Sequence, residues 1–248
     1  GHGEPGCGGL RGGGQAPGVG GQRREVVVRS GEDAGHQDAD RGGRVEVAET
    51  ERRQSAVVAL CVDLSYSMFA DGRWGPMKQT ALALSHLVAT QFPQDSLQII
   101  GFGLHAAALS QGELAAIEPD MVQGTNLQHA LKLAGRHLRR HPGSEPVVLV
   151  VTDGEPTAHL EPDGEAMFWW PPLPETLAVT LAEVERCTRR GATINVFMLD
   201  DDPRLVAFVD LIARLNGGRV FAPSPDRLGD YVVSDYLRAR RGQHKIGA

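Results

Sequence analysis

Short apolar segments alternate with amphipathic helical patterns from Ser55 to Arg241, and this alternation limits the folds open to the chain. The first segment, Val57–Val62, is apolar without interruption, which is typical of a strand buried on both faces of a sheet. Further strands are predicted at Leu97–Phe102, Ala106–Leu109, Pro146–Val151, Thr193–Leu199 and Arg219–Ala222. Helices are predicted at Met77–Phe92, Leu127–His141, Glu175–Arg190, Arg204–Leu215 and Leu228–Arg240. This order predicts an α/β fold with a doubly wound, mostly parallel six-stranded sheet and helices on both faces.

The two ends of the chain lack this pattern. Residues 1–54 hold 15 of the 31 glycines and no aromatic residue, so they cannot bury enough apolar surface to offset their chain entropy. We predict a disordered Gly-rich tail or linker over 1–54, a domain over 55–241 and a disordered tail over 242–248. Within residues 1–54, a short pair of strands at Val26–Val28 and Val45–Val47 stays open as an alternative.

Composition excludes some classes of partner. The net charge of −6 argues against nucleic acid, because phosphate binding needs a basic surface. No apolar run reaches 18 residues, so we predict no membrane span. The three cysteines, Cys7, Cys61 and Cys187, lie far apart and form neither a disulfide framework nor a CxxC metal motif, which favours a reducing, cytoplasmic setting.

Polar side chains follow two of the predicted strands at the points where they end. Asp63, Ser65 and Ser67 alternate directly after the first strand, and Asp153 follows the strand Pro146–Val151. Thr125 precedes the helix between them. Because parallel strands end on one edge of a sheet, these five oxygen donors should meet there. Such donors suit Mg²⁺ before Zn²⁺, although Asp and Ser at these positions could instead cap the next helix.

The charge of this donor set has a consequence for binding. The two carboxylates, Asp63 and Asp153, nearly neutralise a divalent ion but supply no third anion. The ion would therefore retain an affinity for a carboxylate brought by a partner, and such a bond is stronger in a low-dielectric pocket than at an exposed surface.

Three motifs in order, Asp63-Leu64-Ser65-Tyr66-Ser67, Gly124-Thr125-Asn126 and Thr152-Asp153-Gly154, resemble the von Willebrand factor type A (VWA) domain. The resemblance implies an intact metal-ion-dependent adhesion site. In that site Ser65, Ser67 and Thr125 would contact Mg²⁺, with Mn²⁺ as the alternative ion. Asp63 and Asp153 would act directly or through water. The family fold also implies one short antiparallel edge strand, which Ala106–Leu109 fits.

The VWA family contains extracellular adhesion modules and intracellular modules, and the latter often work beside AAA+ ATPases such as magnesium chelatase. The low cysteine content and the Gly-rich first segment resemble the intracellular bacterial group. The resemblance thus implies a cytoplasmic protein-interaction module whose partner supplies a Glu or Asp to the metal, with an AAA+ ATPase as the candidate partner.

Two connections, Phe69–Pro76 and His159–Pro174, are predicted to be loops near the metal site. The candidate partner-binding residues in or beside them are Tyr66, Arg73, Trp74, Phe168, Trp169 and Trp170. Aromatic side chains are enriched at binding hot spots, but these could equally pack onto the domain.

Two further polar clusters have competing interpretations. Asp200-Asp201-Asp202 could hold a second cation, or an Asp could cap the helix that begins near Pro203. His137 and His141, spaced i and i+4, could bind zinc or lie on a solvated helix face.

An enzyme of a different class is the alternative function. On the same scaffold Asp63 could serve a metal-assisted phosphatase or hydrolase as nucleophile or ligand. An aspartyl-phosphate phosphatase usually carries a second carboxylate two residues after the nucleophile, where this chain has Ser65. The interaction module is therefore the favoured interpretation.

Overall fold

The structure is a computed structural model, and it describes residues 55–119, 121 and 123–242. The predicted tail over 1–54, with the strand pair at Val26–Val28 and Val45–Val47, lies outside the described residues. Of the predicted tail over 242–248, only Gly242 is described, as the last residue of a helix. Among the described helices, none is both long and apolar enough to cross a bilayer.

Eight strands and seven helices make up the described part of the chain. The strands are β1 Ala56–Asp63, β2 Ser96–Phe102, β3 Ala106–Leu109, β4 Glu145–Thr152, β5 Ala158–Leu160, β6 Ala166–Phe168, β7 Thr193–Met198 and β8 Val220–Phe221. The helices are α1 Tyr66–Ala70, α2 Trp74–Gln91, α3 Gln111–Ala116, α4 Leu127–Arg139, α5 Pro174–Thr188, α6 Pro203–Asn216 and α7 Leu228–Gly242. A 3₁₀ turn, Pro225–Arg227, precedes α7.

Six strands form the main sheet in the order β3-β2-β1-β4-β7-β8. All neighbours are parallel except β2 and β3, which confirms the predicted doubly wound fold and its antiparallel edge strand. β1 lies inside the sheet between β2 and β4, and all eight of its residues are buried. This position explains why its apolar run is continuous rather than alternating.

The helices cover the two faces of the sheet and give two cores. Alternate residues of β1 point to opposite faces, so Ala59 packs beneath α4, α5 and α6, while Leu60 packs beneath α1, α2, α3 and α7. Cys61 and Cys187 are free thiols buried in the first of these cores.

The predicted loop Phe69–Pro76 is wrong. α1 ends at Ala70, and α2 already begins at Trp74, so Pro76 lies in its first turn. Proline is tolerated there because the first backbone N–H groups of a helix have no intrahelical acceptor. The apolar periodicity starts only at Met77, which is why the pattern predicted the later start.

The predicted loop His159–Pro174 is also wrong, because β5 and β6 form a separate antiparallel hairpin within it. The turn between them contains Pro162-Asp163-Gly164, and Gly164 has a φ of 95°, which favours glycine. The strands have three residues each, too few for an alternating pattern to be read from the sequence. The short helix α3, which the sequence analysis missed, begins with a capping box formed by Ser110 and Glu113.

The strand order indicates where a ligand site would lie. The chain leaves β1 for β2 and β3 on one side and returns to β4 on the other side of β1. The connections that follow β1 and β4 therefore diverge at the carboxyl edge of the sheet. A cleft at such a switch point is where ligands bind in folds of this class.

Candidate metal centre

The connections at the carboxyl edge enclose a cavity of about 600 Å³. We use "the rim" for residues 64–73, 123–126, 153–157 and 199–204, which contribute most of its lining, with Phe168 and Trp170 of the hairpin segment completing it. Four of the five predicted ligands, Ser65, Ser67, Thr125 and Asp153, line this cavity. Asp63 lies directly beneath them at the end of β1.

Asp63 is fully buried and both of its carboxylate oxygens accept hydrogen bonds. Its Oδ1 accepts from the backbone N–H of Ser65 at 2.9 Å, and its Oδ2 accepts from the Thr152 hydroxyl at 2.6 Å. Thr152 is the last residue of β4, so the pairing of β1 with β4 brings the two residues together. The first bond folds the chain back on itself and fixes the Asp63–Ser65 turn.

Ser65, Ser67 and Asp153 form a connected set of oxygen atoms. The Ser65 and Ser67 hydroxyls are 3.2 Å apart, and the Ser67 hydroxyl donates to Asp153 Oδ1 at 2.9 Å. Ser65 precedes α1 with an extended backbone and makes no capping bond with its side chain. The capping interpretation therefore fails for Ser65, whose hydroxyl faces the other oxygen donors instead.

Thr125 is held in place by the segment that follows Asp153. Its backbone N–H donates to the Thr157 hydroxyl at 3.0 Å, and its carbonyl accepts from Thr157 N–H at 3.1 Å. Gly124 precedes it with a φ of 127°, a conformation that side chains rarely adopt. Asn126, rather than Thr125, caps α4 by accepting from the backbone N–H of His129. These contacts leave Thr125 on the cavity wall beside the serines.

Two buried carboxylates lie close together in this site. Burial, and then the neighbouring Asp153, raises the pKa of Asp63 to about 7. Burial also raises the pKa of Asp153, against opposing contributions from Arg73 and Ser67. Both carboxyl groups are therefore harder to ionise than a solvated Asp, because burial removes the hydration of the charged form.

Arg73 supplies one positive charge to this region. Its Nη1 lies 2.8 Å from Asp153 Oδ2 and 3.1 Å from Asp71 Oδ2, and its Nη2 lies 2.5 Å from Asp200 Oδ2. Its side chain is 13% exposed. Arg73 thus joins the connection after α1 to the ends of β4 and β7.

The other candidate partner-binding residues divide into two groups. Tyr66, Phe168 and Trp170 line the cavity, and Trp169 lies next to Trp170 in the chain; the two tryptophans are 58% and 57% exposed. Trp74 instead packs against the core beneath α2, so its predicted place on the rim is wrong. It begins a helix rather than lying in a loop.

The sequence analysis missed Glu155 and Arg204 on the rim. Glu155 is buried, and the nearest Arg204 nitrogen is 3.4 Å from its Oε1. The Arg204 guanidinium also lies 4.6 Å from the centre of the Trp170 ring, within reach of a cation–π contact. The Thr-Asp-Gly-Glu-Pro order could have indicated Glu155, but nothing local connects Arg204 with a tryptophan 34 positions earlier.

The structure decides part of the choice between the two interpretations of the Asp200–Asp202 cluster and of the His137–His141 pair. Asp202 caps α6 by accepting from Arg204 N–H at 2.8 Å, as the capping interpretation predicts, and Asp200 pairs with Arg73. His137 is buried, which corrects the prediction of a solvated face, and its ring centre lies 4.9 Å from that of His141. Within the described ranges, no three His, Cys, Asp or Glu side chains are grouped as metal ligands.

The donor set at the rim fits a hard divalent cation. It combines neutral hydroxyls with two carboxylates and contains no sulfur or imidazole, which suits Mg²⁺ or Mn²⁺ better than Zn²⁺. The observation that supports this fit is the connected set of Ser65, Ser67 and Asp153 oxygens on the cavity wall, with the buried Asp63 carboxylate beneath it.

Comparison with solved structures shows the same fold in proteins of low sequence identity. The vWF domain of the type V pili tip protein Mfa5 from Porphyromonas gingivalis superposes with a TM-score of 0.61 at 11% identity, covering 77% of this chain and 96% of that chain. The pilus adhesin SpaC from Lactobacillus rhamnosus GG gives 0.60 at 16% identity, covering 77% of this chain and 31% of that one.

Sequence comparison identifies a nearer relative. The uncharacterized protein Rv0959 of Mycobacterium tuberculosis is 56% identical over 201 residues, which cover 79% of this chain but only 30% of that protein. A profile of the family described as "Rv0959-like protein, vWA domain" matches residues 56–237. The chain therefore belongs to the Rv0959-like vWA domain family.

Proposed function

We propose that this protein is a metal-dependent protein-interaction module that holds Mg²⁺ with Asp63, Ser65, Ser67, Thr125 and Asp153. The observation that carries the proposal is the pair of buried carboxylates, Asp63 and Asp153, next to serine hydroxyls that open into the cavity. Mn²⁺ is the alternative ion, because it has the same preference for oxygen ligands.

The five proposed ligands have two different roles. Ser65, Ser67 and Thr125 offer neutral oxygens on the cavity wall, while Asp63 and Asp153 supply the negative charge beneath and beside them. Thr152 and the Ser65 backbone hold Asp63 in position. Once bound, a divalent ion would supply a positive centre for a Glu or Asp carboxylate of a protein partner.

The rim also offers apolar contact area for that partner. Phe69, Trp169 and Trp170 are 48%, 58% and 57% exposed, and Phe168 lines the cavity between the ligands and the tryptophans. Exposed aromatic side chains next to a pocket are typical anchors of protein interfaces. Two proteins that share the fold are a pilus adhesin and a pili tip protein, and this accords with a role in protein binding.

The identity of the partner rests on the resemblance to intracellular VWA proteins. We propose an AAA+ ATPase of the chelatase-associated kind as the partner and the cytoplasm as the setting. The buried free thiols Cys61 and Cys187 are compatible with a reducing compartment. Because this chain spans about a third of the length of its mycobacterial relative, the activity of a whole protein of that length could involve further segments.

Metal binding is tested first, by calorimetric titration of the full 248-residue chain with MgCl₂ and MnCl₂. We expect one site in the wild type and none in a Ser65→Ala/Ser67→Ala variant. Ser224→Ala is the matched control, since Ser224 is exposed and lies outside the rim. Equal titrations for all three proteins would contradict the proposed site.

Partner binding is tested by affinity capture from a lysate of the source organism, with Mg²⁺ or with EDTA. A protein retained by the wild type with Mg²⁺, and lost both with EDTA and with Asp153→Ala, would support metal-bridged recognition. Mass spectrometry then shows whether it is an AAA+ ATPase. Retention that is indifferent to the metal would contradict the bridge and direct attention to Trp169 and Trp170.

The structure weakens the alternative in which Asp63 attacks a phosphoryl group. Its side chain is fully buried, and both oxygens already accept hydrogen bonds. A nucleophile needs an oxygen that faces the substrate. We therefore propose no phosphatase role for Asp63.

A further inference from the structure

Arg73 and Ser67 contact different oxygens of the Asp153 carboxylate. Asp153 Oδ1 accepts from the Ser67 hydroxyl at 2.9 Å, and its Oδ2 lies 2.8 Å from Arg73 Nη1. One oxygen thus faces the predicted ligands while the other contacts a permanent cation. An arginine remains protonated at any physiological pH, so this neutralisation is always present.

The position of Arg73 is fixed from several directions. Asp200 contacts its Nη2 and Asp71 its Nη1, and these acids come from the end of β7 and from the connection after α1. The Arg73 side chain is 13% exposed and the Asp153 side chain is fully buried, so water screens their contact weakly. Three ion pairs thus hold the Arg73 guanidinium beside Asp153.

A cation beside a metal ligand acts in opposite directions on two equilibria. It repels an incoming divalent ion and offsets the negative charge of Asp153, so metal binding becomes weaker. For the same reason, less of the bound ion's charge is compensated by the protein. An external carboxylate is then attracted more strongly, because both the ion and the arginine are positive.

We propose that Arg73 is a positioning residue that lowers the affinity of the site for the divalent ion and raises the affinity of the bound ion for a partner carboxylate. This inference rests on the proposed function, and it assigns to one residue the balance between the two binding steps. It also explains why a site rich in acidic side chains would still accept an acidic partner group.

The test measures both equilibria on the full chain. Mn²⁺ affinity is obtained from the electron paramagnetic resonance signal of free Mn²⁺, and carboxylate affinity from the relaxation of ¹³C-labelled acetate added to Mn²⁺-loaded protein. Arg73→Gln removes the charge, and Arg73→Lys retains it without the planar fork. Arg204→Gln is the control for charge alone, because Arg204 lines the same cavity but pairs with Asp202 and Glu155.

We expect Arg73→Gln to bind Mn²⁺ about tenfold more tightly and acetate several-fold more weakly than the wild type, a change that one nearby charge can produce. Arg73→Lys should lie between them, and Arg204→Gln should change Mn²⁺ affinity less than about threefold. The Mn²⁺ and acetate affinities should therefore change in opposite directions. If Arg73 were merely structural, its replacement would weaken both.

Other outcomes would overturn the inference. An unchanged or weaker Mn²⁺ affinity in both Arg73 variants, with thermal unfolding still cooperative, would show that Arg73 only braces the rim. An equal effect of Arg204→Gln would show that contact with Asp153 is irrelevant. If neither the wild type nor Arg73→Gln binds Mn²⁺, the proposed function fails as well. Binding by Arg73→Gln alone would support the role of Arg73 while contradicting metal binding by the native protein.

Discussion

A carboxylate with a buried side chain lies at each end of β1, and the two differ in their partners. Asp63, at the carboxyl end, accepts from Ser65 N–H and from the Thr152 hydroxyl and lies beside a second acid. Asp95 lies near the amino end, where its Oδ1 accepts from the backbone N–H of Ala56 at 3.0 Å.

The partners of the other Asp95 oxygen complete the contrast. Asp95 Oδ2 accepts from the Tyr236 hydroxyl at 2.6 Å and lies 3.1 Å from Arg240 Nε. Asp95 thus has a cation, a hydroxyl and a backbone donor, and these tie α7 to the start of β1. Asp63 accepts two hydrogen bonds, and no Lys or Arg of the described residues forms an ion pair with it. Removing one partner of a buried ion pair is strongly destabilising, so Asp95 should support the fold, whereas Asp63, at the candidate site, is expected to act on ion binding.

The largest expected effect on the free energy of unfolding comes from Asp95, near the amino end of β1. Asp95→Ala should lower the free energy of unfolding by about 3 kcal/mol, because it removes a charge partner of Arg240 and the acceptor of the Tyr236 hydroxyl. Urea denaturation measures this loss. The control is Asp230→Ala, at an exposed position of α7, the helix that carries Tyr236 and Arg240. It should change the free energy of unfolding by less than about 0.5 kcal/mol. Equal losses for both would show that the buried contacts of Asp95 add no stability beyond that of an exposed acid.

At the carboxyl end, the expected effect depends on the ion. At a Mg²⁺ concentration 100 times its dissociation constant, the wild type should gain about 2.7 kcal/mol in unfolding free energy. Asp63→Asn should lose most of that gain. Its stability without Mg²⁺ should stay close to that of the wild type, because the Thr152 hydroxyl can turn to accept from the new amide and donate to the Gly154 carbonyl.

Thermal unfolding with and without Mg²⁺ checks this prediction, and Asp230→Asn should keep the full response to the ion. A large loss of stability in Asp63→Asn without Mg²⁺ would mean that Asp63 is structural in the same sense as Asp95. The proposed difference between the ends of β1 would then be wrong.

Tyr236→Phe tests the amino end of β1 with a smaller expected loss of stability. The hydroxyl is one of several donors to Asp95, and the rest of the buried ring keeps its contacts, including the edge-on contact with Phe92. We expect a loss of about 1 kcal/mol in the free energy of unfolding. The Mn²⁺ affinity should not change, since the site lies at the opposite end of β1. A change in metal affinity would instead show that α7 couples the two ends.

The smallest effect concerns pH and His137. Burial, and then the neighbouring His141, lowers the pKa of His137, with Arg140 contributing in the same direction. The unfolded chain therefore binds more protons than the folded protein below pH about 6.5, so stability should fall as the pH falls from that value towards the folded-state pKa. His137→Gln should reduce this slope in denaturation curves recorded from pH 7 to pH 5. An unchanged slope would exclude His137 as its source.

Much of the candidate site follows from the sequence because it is built from strand ends. The apolar runs of β1 and β4 fix which residues emerge from the sheet, and the parallel arrangement brings Asp63 and Asp153 to one edge. The order of Asp63, Ser65 and Ser67 then fixes the chemistry of the donors. The hairpin β5–β6 and the early start of α2 were not predicted, because three-residue strands and a proline in a first helical turn give weak local signals.

What only the tertiary structure decided are the contacts between residues far apart in the chain. Arg73 meets Asp153 and Asp200, which lie 80 and 127 positions later, and Tyr236 meets Asp95 across 141 positions. No periodicity records such pairs, since they depend on strand order, on register and on the conformation of connections. The sequence alone therefore determined which oxygen donors could hold an ion. The fold decided which of their carboxylates already has a cation beside it, because Arg73 contacts Asp153.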